Sequence, residues 1–159
     1  MEMGFSPILE HYQKEIIVSY VRIWLHCVWG TKNRTKFLTD INKKPILIHI
    51  KDNAVDKDIY IDFINGHKDH IHCLMSLSST QNISEVMQSI KGESSFWINK
   101  NHLTNTKFKW ADEYYAVSIS ESQVNRVRSY IKNQDEHHRK KTWKEECEEF
   151  INKHNFRRM

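Results

Sequence analysis

The chain has 159 residues, a net charge of +4, four Gly, two Pro and three Cys. That length suits one domain with a sizeable core, and so little Gly and Pro excludes a long linker or low-complexity tract. Cys27, Cys73 and Cys147 are scattered and odd in number, which excludes a disulfide framework and predicts reduced thiols. No apolar run approaches the ~18 residues of a membrane span, no signal-peptide core is present, and the expected location is cytoplasmic. The mild positive charge is compatible with a phosphate-rich partner without requiring one.

Residues 1–17 carry no periodic pattern and read as an N-terminal extension to a single domain over residues 18–159. Val21, Ile23, Leu25, Cys27 and Trp29 then alternate with Arg22, Trp24, His26 and Val28, which predicts a strand with one fully apolar face. Gly30 to Arg34 ends it; Lys32 and Arg34 either grip phosphates or lie in a solvated turn. Residues 40–58 predict a helix with Pro45 in its first turn and Ile46, Ile50 and Ala54 on one face. A second strand over residues 59–64 and a third over 70–77 are joined by Gly66-His67-Lys68-Asp69 as a hairpin.

Asn82 and Glu85 form a capping-box pattern that opens a helix to about Lys100. Val86, Ile90 and Trp97 make its buried stripe, and Gly92 within it suggests a close packing contact, since a mid-helix Gly costs ~1 kcal/mol against Ala. Tyr114 to Ser118 is a fourth strand. Ser120 and Gln123 form a second capping box, opening a helix over about 121–139, and Thr142 and Glu145 a third, opening a terminal helix over about 143–153. The order is β-α-β-β-α-β followed by two helices. This predicts an α+β fold of the ferredoxin-like type, an antiparallel sheet with two helices on one face and the other face left open.

The chemistry-bearing residues fall on two of these elements. On the third strand, His70 and His72 alternate with Ile71 and Cys73, so both imidazoles project to the same face and can converge on one metal ion, while Ile71 pins the strand to the core. A histidine pair of this spacing also arises by chance on ordinary strands. On the late helix, Val124, Val127 and Ile131 form a packing stripe, and Arg126, Tyr130 and Gln134 form another at i, i+4, i+8. Tyr can serve as a covalent nucleophile, Arg can hold phosphate oxygens, and Gln can offer a neutral oxygen ligand. The plain alternative is a half-buried Tyr130 and a solvated Gln134.

Together these residues resemble the single-tyrosine HUH transposases of the insertion-sequence 200/605 group. The resemblance runs from about Tyr20 to the terminal helix. Trp24-Leu25-His26-Cys27-Val28-Trp29-Gly30-Thr31-Lys32 looks like the family's opening strand, Asp69-His70-Ile71-His72 its metal motif, Ile90-Lys91-Gly92 its second helix, and Tyr130-Ile131-Lys132-Asn133-Gln134 with His137-His138 its nucleophile helix. Many relatives carry Trp-Gln where this chain has Trp110-Ala111. The resemblance implies a transposase that cleaves and rejoins single-stranded DNA at hairpin-marked element ends through a 5′-phosphotyrosine on Tyr130. It implies Mg²⁺ or Mn²⁺ held by His70, His72 and Gln134. Imidazole donors alone favour Mn²⁺ or Zn²⁺ over Mg²⁺. Zinc recruited by Cys27 or Cys73 is disfavoured, because Cys73 points away from the histidines.

DNA contacts are expected from Lys32, Arg34, Lys91, Arg126 and Arg128, with aromatic side chains stacking on unpaired bases. Each of these cations could equally be merely solvated. Spacing permits Tyr130 to serve its own sheet or a partner's, and the resemblance favours a homodimer with active sites shared in trans. Two other readings share the pattern: a domesticated repeat-binding nickase, and a non-catalytic module of the RRM type. The latter should show aromatic residues on its third strand, where this chain places histidines.

Overall fold

The computed structural model describes residues 19–137 and 140–154; the expected N-terminal extension and His138 lie outside the described residues. Four strands, β1 (Ile23–Gly30), β2 (Tyr60–Gly66), β3 (His70–Leu77) and β4 (Tyr115–Ile119), form one antiparallel sheet in the order β2-β3-β1-β4. Helices α1 (Lys43–Asp56) and α2 (Ile83–Lys100) connect the strands in the split βαβ manner the sequence predicts. The alternation of β1 and β3 divides their side chains between two layers. Cys27, Trp29, Ile71, Cys73 and Met75 join Ile46, Ile50, Met87, Ile90 and Ile98 of α1 and α2 in the main core. Trp24 and Leu74 project to the other face and meet Val124 and Ile131.

The second face is therefore not open, as the sequence suggested. It is covered by α3 (Val124–Lys132), the short α4 (Gln134–His137) and α5 (Trp143–His154). Three polar ties hold α3 there besides its apolar stripe. The Trp24 indole donates to Glu121 at 2.5 Å. The Arg128 guanidinium donates to both Asp62 oxygens at 2.6 and 2.7 Å. The Asn65 amide donates to the carbonyls of Ile131 and Lys132 at 3.0 and 3.2 Å. The last of these explains a difference from expectation. A continuous helix over 121–139 would use those carbonyls for its next turn. Asn65 captures them instead, and the chain breaks at Asn133 (φ −95, ψ 27). The helix also starts differently: Ser120 bonds Ser122 rather than capping, and a 3₁₀ turn leads into α3. Asn82 caps α2 as expected, accepting from the Glu85 N–H at 2.9 Å, and the third box forms in full, with Thr142 and Glu145 bonded reciprocally.

The Arg128 bonds hold the Asp62 carboxyl below its ordinary range, against the opposing effect of partial burial. A carboxyl whose folded pKa is depressed contributes stability above its unfolded pKa of ~3.9 and loses it as pH falls through the lower folded value. Asp62→Asn should therefore lower the melting temperature near neutral pH and flatten its decline on acidification. Paired melts at pH 7 and below pH 4 check this; parallel curves for the two proteins would mean that the pair does not anchor α3.

Two glycines differ in meaning. Gly92 sits in an unbroken α2 with nothing within 4 Å of where a Cβ would lie, so the close packing contact expected there is absent. Gly66 ends β2 beside the histidine strand, and a Cβ there would stand 2.5 Å from the His70 carbonyl oxygen. That carbonyl accepts from the His67 N–H across the hairpin. Gly66→Ala should destabilise by about 1–3 kcal/mol, the usual cost of overpacking. It should also displace the start of β3, read as a lowered denaturant midpoint with an unchanged slope. A midpoint equal to wild type would show that the hairpin absorbs the methyl without strain.

Candidate metal centre and nucleophile

His70 and His72 are fully buried on β3, side by side, with ring centroids 5.1 Å apart. Each is held on its Nδ1 side. His70 Nδ1 lies 2.7 Å from the Asp69 carboxylate, and His72 Nδ1 lies 2.9 Å from His26 Nε2 on the paired strand β1. The two Nε2 atoms face a third group that the sequence reading did not single out, Glu146 of α5. Its oxygens stand 3.5 Å from His70 Nε2 and 3.2 Å from His72 Nε2. One donor atom from each of His70, His72 and Glu146 lies within 4.8 Å of the others, and all three residues are buried.

This donor set fits a divalent ion. Donors bound to one ion at ~2.1 Å lie roughly 3.0–3.4 Å apart, close to the 3.5 and 3.2 Å between Glu146 and the two imidazoles. Two imidazoles and a carboxylate suit a transition metal such as Mn²⁺ better than imidazoles alone suit Mg²⁺. Ligating histidines characteristically have their other ring nitrogen bonded to a carboxylate or similar partner, as both do here. Cys27 and Cys73 lie in the main core on the opposite face of the sheet.

Tyr130 is brought to this centre by α3. Its ring packs edge-on against His72 and His26, with centroids 5.5 and 5.9 Å apart, and its hydroxyl donates to Glu146 Oε1. Burial first, and the Glu146 carboxylate second, push the phenol well above its ordinary range, while hydrogen bonding from Gln134 works the other way. Gln134 is fully buried one turn on, its amide donating to the Tyr130 carbonyl at 3.2 Å. Burial and the adjacent His72 push His26 down to about 3, so it is a neutral imidazole at ordinary pH. Tyr130, His70 and His72 all belong to one chain. Within this chain α3 packs on β2 and β3 and so carries Tyr130 to the histidines.

A cleft of about 660 Å³ opens beside Tyr130, lined in part by His26, Gln123, Arg126, Tyr130, Glu146 and Lys153. Of the expected DNA-contacting cations, Arg126 lies on it. Lys32 and Arg34 line a separate cleft of about 360 Å³ on another side of α5, and Lys32 is 3.8 Å from Asp112. Lys91 belongs to α2 beneath the other face, its ammonium donating to the Asp112 carbonyl. Arg128 is engaged with Asp62, as described above.

Glu146 escaped the sequence reading for a simple reason. It lies in Glu145-Glu146-Cys147-Glu148-Glu149, and nothing in that run marks one acid as buried. The burial of Glu146 and Cys147 together against exposed Glu145, Glu148 and Glu149 appears only when α5 docks. Asp69 and His26 were within the quoted motifs but carried no assigned role.

No curated protein matches this chain. Among solved structures it is similar to a protein of Deinococcus radiodurans R1 provisionally described as a transposase, at 19% identity, covering 84% of this chain and 98% of that one, with a TM-score of 0.58. It is also similar to a REP-associated tyrosine transposase bound to a REP hairpin, at 16% identity, covering 73% and 68% of the two chains, with a TM-score of 0.52. These likenesses concern the fold. The sequence itself matches the family described as "Transposase IS200 like" over residues 19–134, a span that holds the histidine strand, the tyrosine and Gln134. With that match running through most of the chain, the protein belongs to the IS200-like transposases.

Proposed function

We propose that this protein cleaves and rejoins single-stranded DNA at hairpin-marked ends, with Tyr130 as the nucleophile of a 5′-phosphotyrosine intermediate. The observation that carries this reading is the placement of Tyr130 against the paired histidines within one buried centre. A divalent ion, Mg²⁺ or Mn²⁺, would be held by His70, His72 and Glu146, and supplies positive charge to offset that growing on the scissile phosphate. Gln134, the third ligand by resemblance, is hydrogen-bonded to Tyr130 and orients it.

Burial keeps the Tyr130 phenol protonated, so its proton must leave as the oxygen attacks phosphorus. The carboxylate of Glu146 already accepts that hydroxyl and is placed to take the proton. The P–O bond to the 3′-oxygen breaks in line, and the released 3′-oxygen takes up a proton. The phosphotyrosine retains the energy of the broken bond, so attack by a second 3′-hydroxyl rejoins the strand without a nucleotide cofactor. Arg126, on the cleft beside Tyr130, is the cation best placed for a neighbouring phosphate. The direct test is incubation with single-stranded hairpin DNA and Mn²⁺, followed by denaturing electrophoresis for a covalent protein–DNA band. Binding without any such band, at several metal concentrations, would favour a non-catalytic nucleic-acid module.

The resemblance favours a homodimer with active sites shared in trans, whereas the packing of α3 on its own sheet favours a site complete within one chain. We take the second. A His70→Ala/His72→Ala chain mixed with a Tyr130→Phe chain should stay inactive, because each chain carries its own lesion. Recovery of about a quarter of wild-type cleavage after random subunit exchange, from mixed dimers with one intact site in two, would establish the trans arrangement.

A further inference from the structure

The two histidines of the centre are not held alike. His70 leans on a carboxylate, Asp69, one residue away in the turn that leads into its strand. His72 leans on another imidazole, His26, contributed by β1 and 46 residues distant in sequence. His26 is itself buried, with 4% of its surface exposed, and its Nε2 meets His72 Nδ1 at 2.9 Å. The contact follows from register: Val28 is the Cα partner of His72 and His26 that of Leu74, so His26 stands on the same face, diagonally across the pair.

We infer that His26 is a positioning residue that selects the tautomer of His72, holding the proton on Nδ1 so that the Nε2 lone pair faces the metal. A neutral imidazole carries one proton and one lone pair. For His72 Nε2 to be a ligand, the proton must sit on Nδ1, and the group it meets must then be an acceptor. His26 Nε2 supplies that acceptor, which places the proton of His26 on its own Nδ1. A side chain at position 26 without an acceptor leaves the His72 proton free to move to Nε2, where it would point at the ion. Carboxylate and imidazole thus do the same work at the two ligands, and β1 becomes part of the centre without touching the ion.

The inference rests on the metal site proposed above, and the experiment separates the two. Mn²⁺ affinity is measured by calorimetry for wild type, His72→Ala, His26→Leu and His26→Gln, with melting temperatures of the metal-free proteins as a fold control. His26→Leu should lower the affinity about 10- to 100-fold, the usual cost of losing an outer partner. His26→Gln, whose amide oxygen accepts a proton at similar reach, should recover most of it. Equal affinities in all three position-26 proteins, or equal losses in Leu and Gln, overturn the role. Unchanged affinity in His72→Ala overturns the metal site itself. A second readout needs neither metal nor a variant: long-range ¹⁵N–¹H correlation of the metal-free wild type at alkaline pH. Neutral His72 as the Nδ1–H tautomer supports the inference, and the Nε2–H tautomer overturns it.

Discussion

Tyr130→Phe is expected to abolish the covalent protein–DNA adduct, a loss on the order of 10⁴-fold or more, while hairpin binding without covalent attachment is retained. The substitution removes one oxygen. The ring keeps its edge-on contacts with His26 and His72, and the stripe of Val124, Val127 and Ile131 that docks α3 is untouched. What disappears is the hydroxyl donated to Glu146, a bond to a buried carboxylate worth about 1–3 kcal/mol of stability. The variant should therefore fold and melt modestly lower than wild type. Adduct formation by the folded Phe variant at the wild-type level would transfer the nucleophile to another residue. Tyr114 and Tyr115 stand next in sequence, although Tyr115 lines the cleft on another side of α5.

Removing the centre's donors should have the second large effect. His70→Ala and His72→Ala should each lower Mn²⁺ affinity by at least about 100-fold and eliminate metal-dependent cleavage, because each deletes a ligand held rigidly on a central strand. Glu146→Ala should act on the same scale in affinity and also remove the group that accepts the Tyr130 hydroxyl. Gln134→Ala should be milder in metal affinity, since the Gln134 amide is bonded to the Tyr130 carbonyl and its hydrogen bonding lowers the pKa of the Tyr130 phenol. Calorimetric titration of the four variants distinguishes the assignments. A loss in Gln134→Ala matching that in His72→Ala, with Glu146→Ala unaffected, would return the third ligand to Gln134. It would leave Glu146 as a partner of the tyrosine alone.

Both predictions depend on α5, and the character of that helix sharpens them. Glu146 and Cys147 are its buried residues among those described, and burial pushes the Cys147 thiol up to about 12, so it is not a reactive thiolate. The helix lies between two clefts, with Glu146 and Glu149 on the larger one and Lys144 and Glu148 on the smaller.

Local pattern alone determined a good deal of this protein. The period of two in β1 and β3 placed His26, His70 and His72 on one face and Cys27 and Cys73 on the other, because a strand offers only two directions for a side chain. The apolar stripe of Ile46, Ile50 and Ala54, and that of Val124, Val127 and Ile131, named the buried faces of α1 and α3 for the same geometric reason. The ordering of strands and helices was enough for the split βαβ sheet. Tertiary structure alone decided the rest. Whether the second face was open depended on where α3 docks, which its apolar stripe does not specify. The end of α3 was decided by Asn65, 66 residues away, taking the Ile131 carbonyl that the next turn would have used. Which acid of the run Glu145–Glu149 is buried beside the paired histidines depended on how α5 docks on the sheet. Pairing of His26 with His72 depended on strand register, a relation between two segments that neither segment encodes by itself.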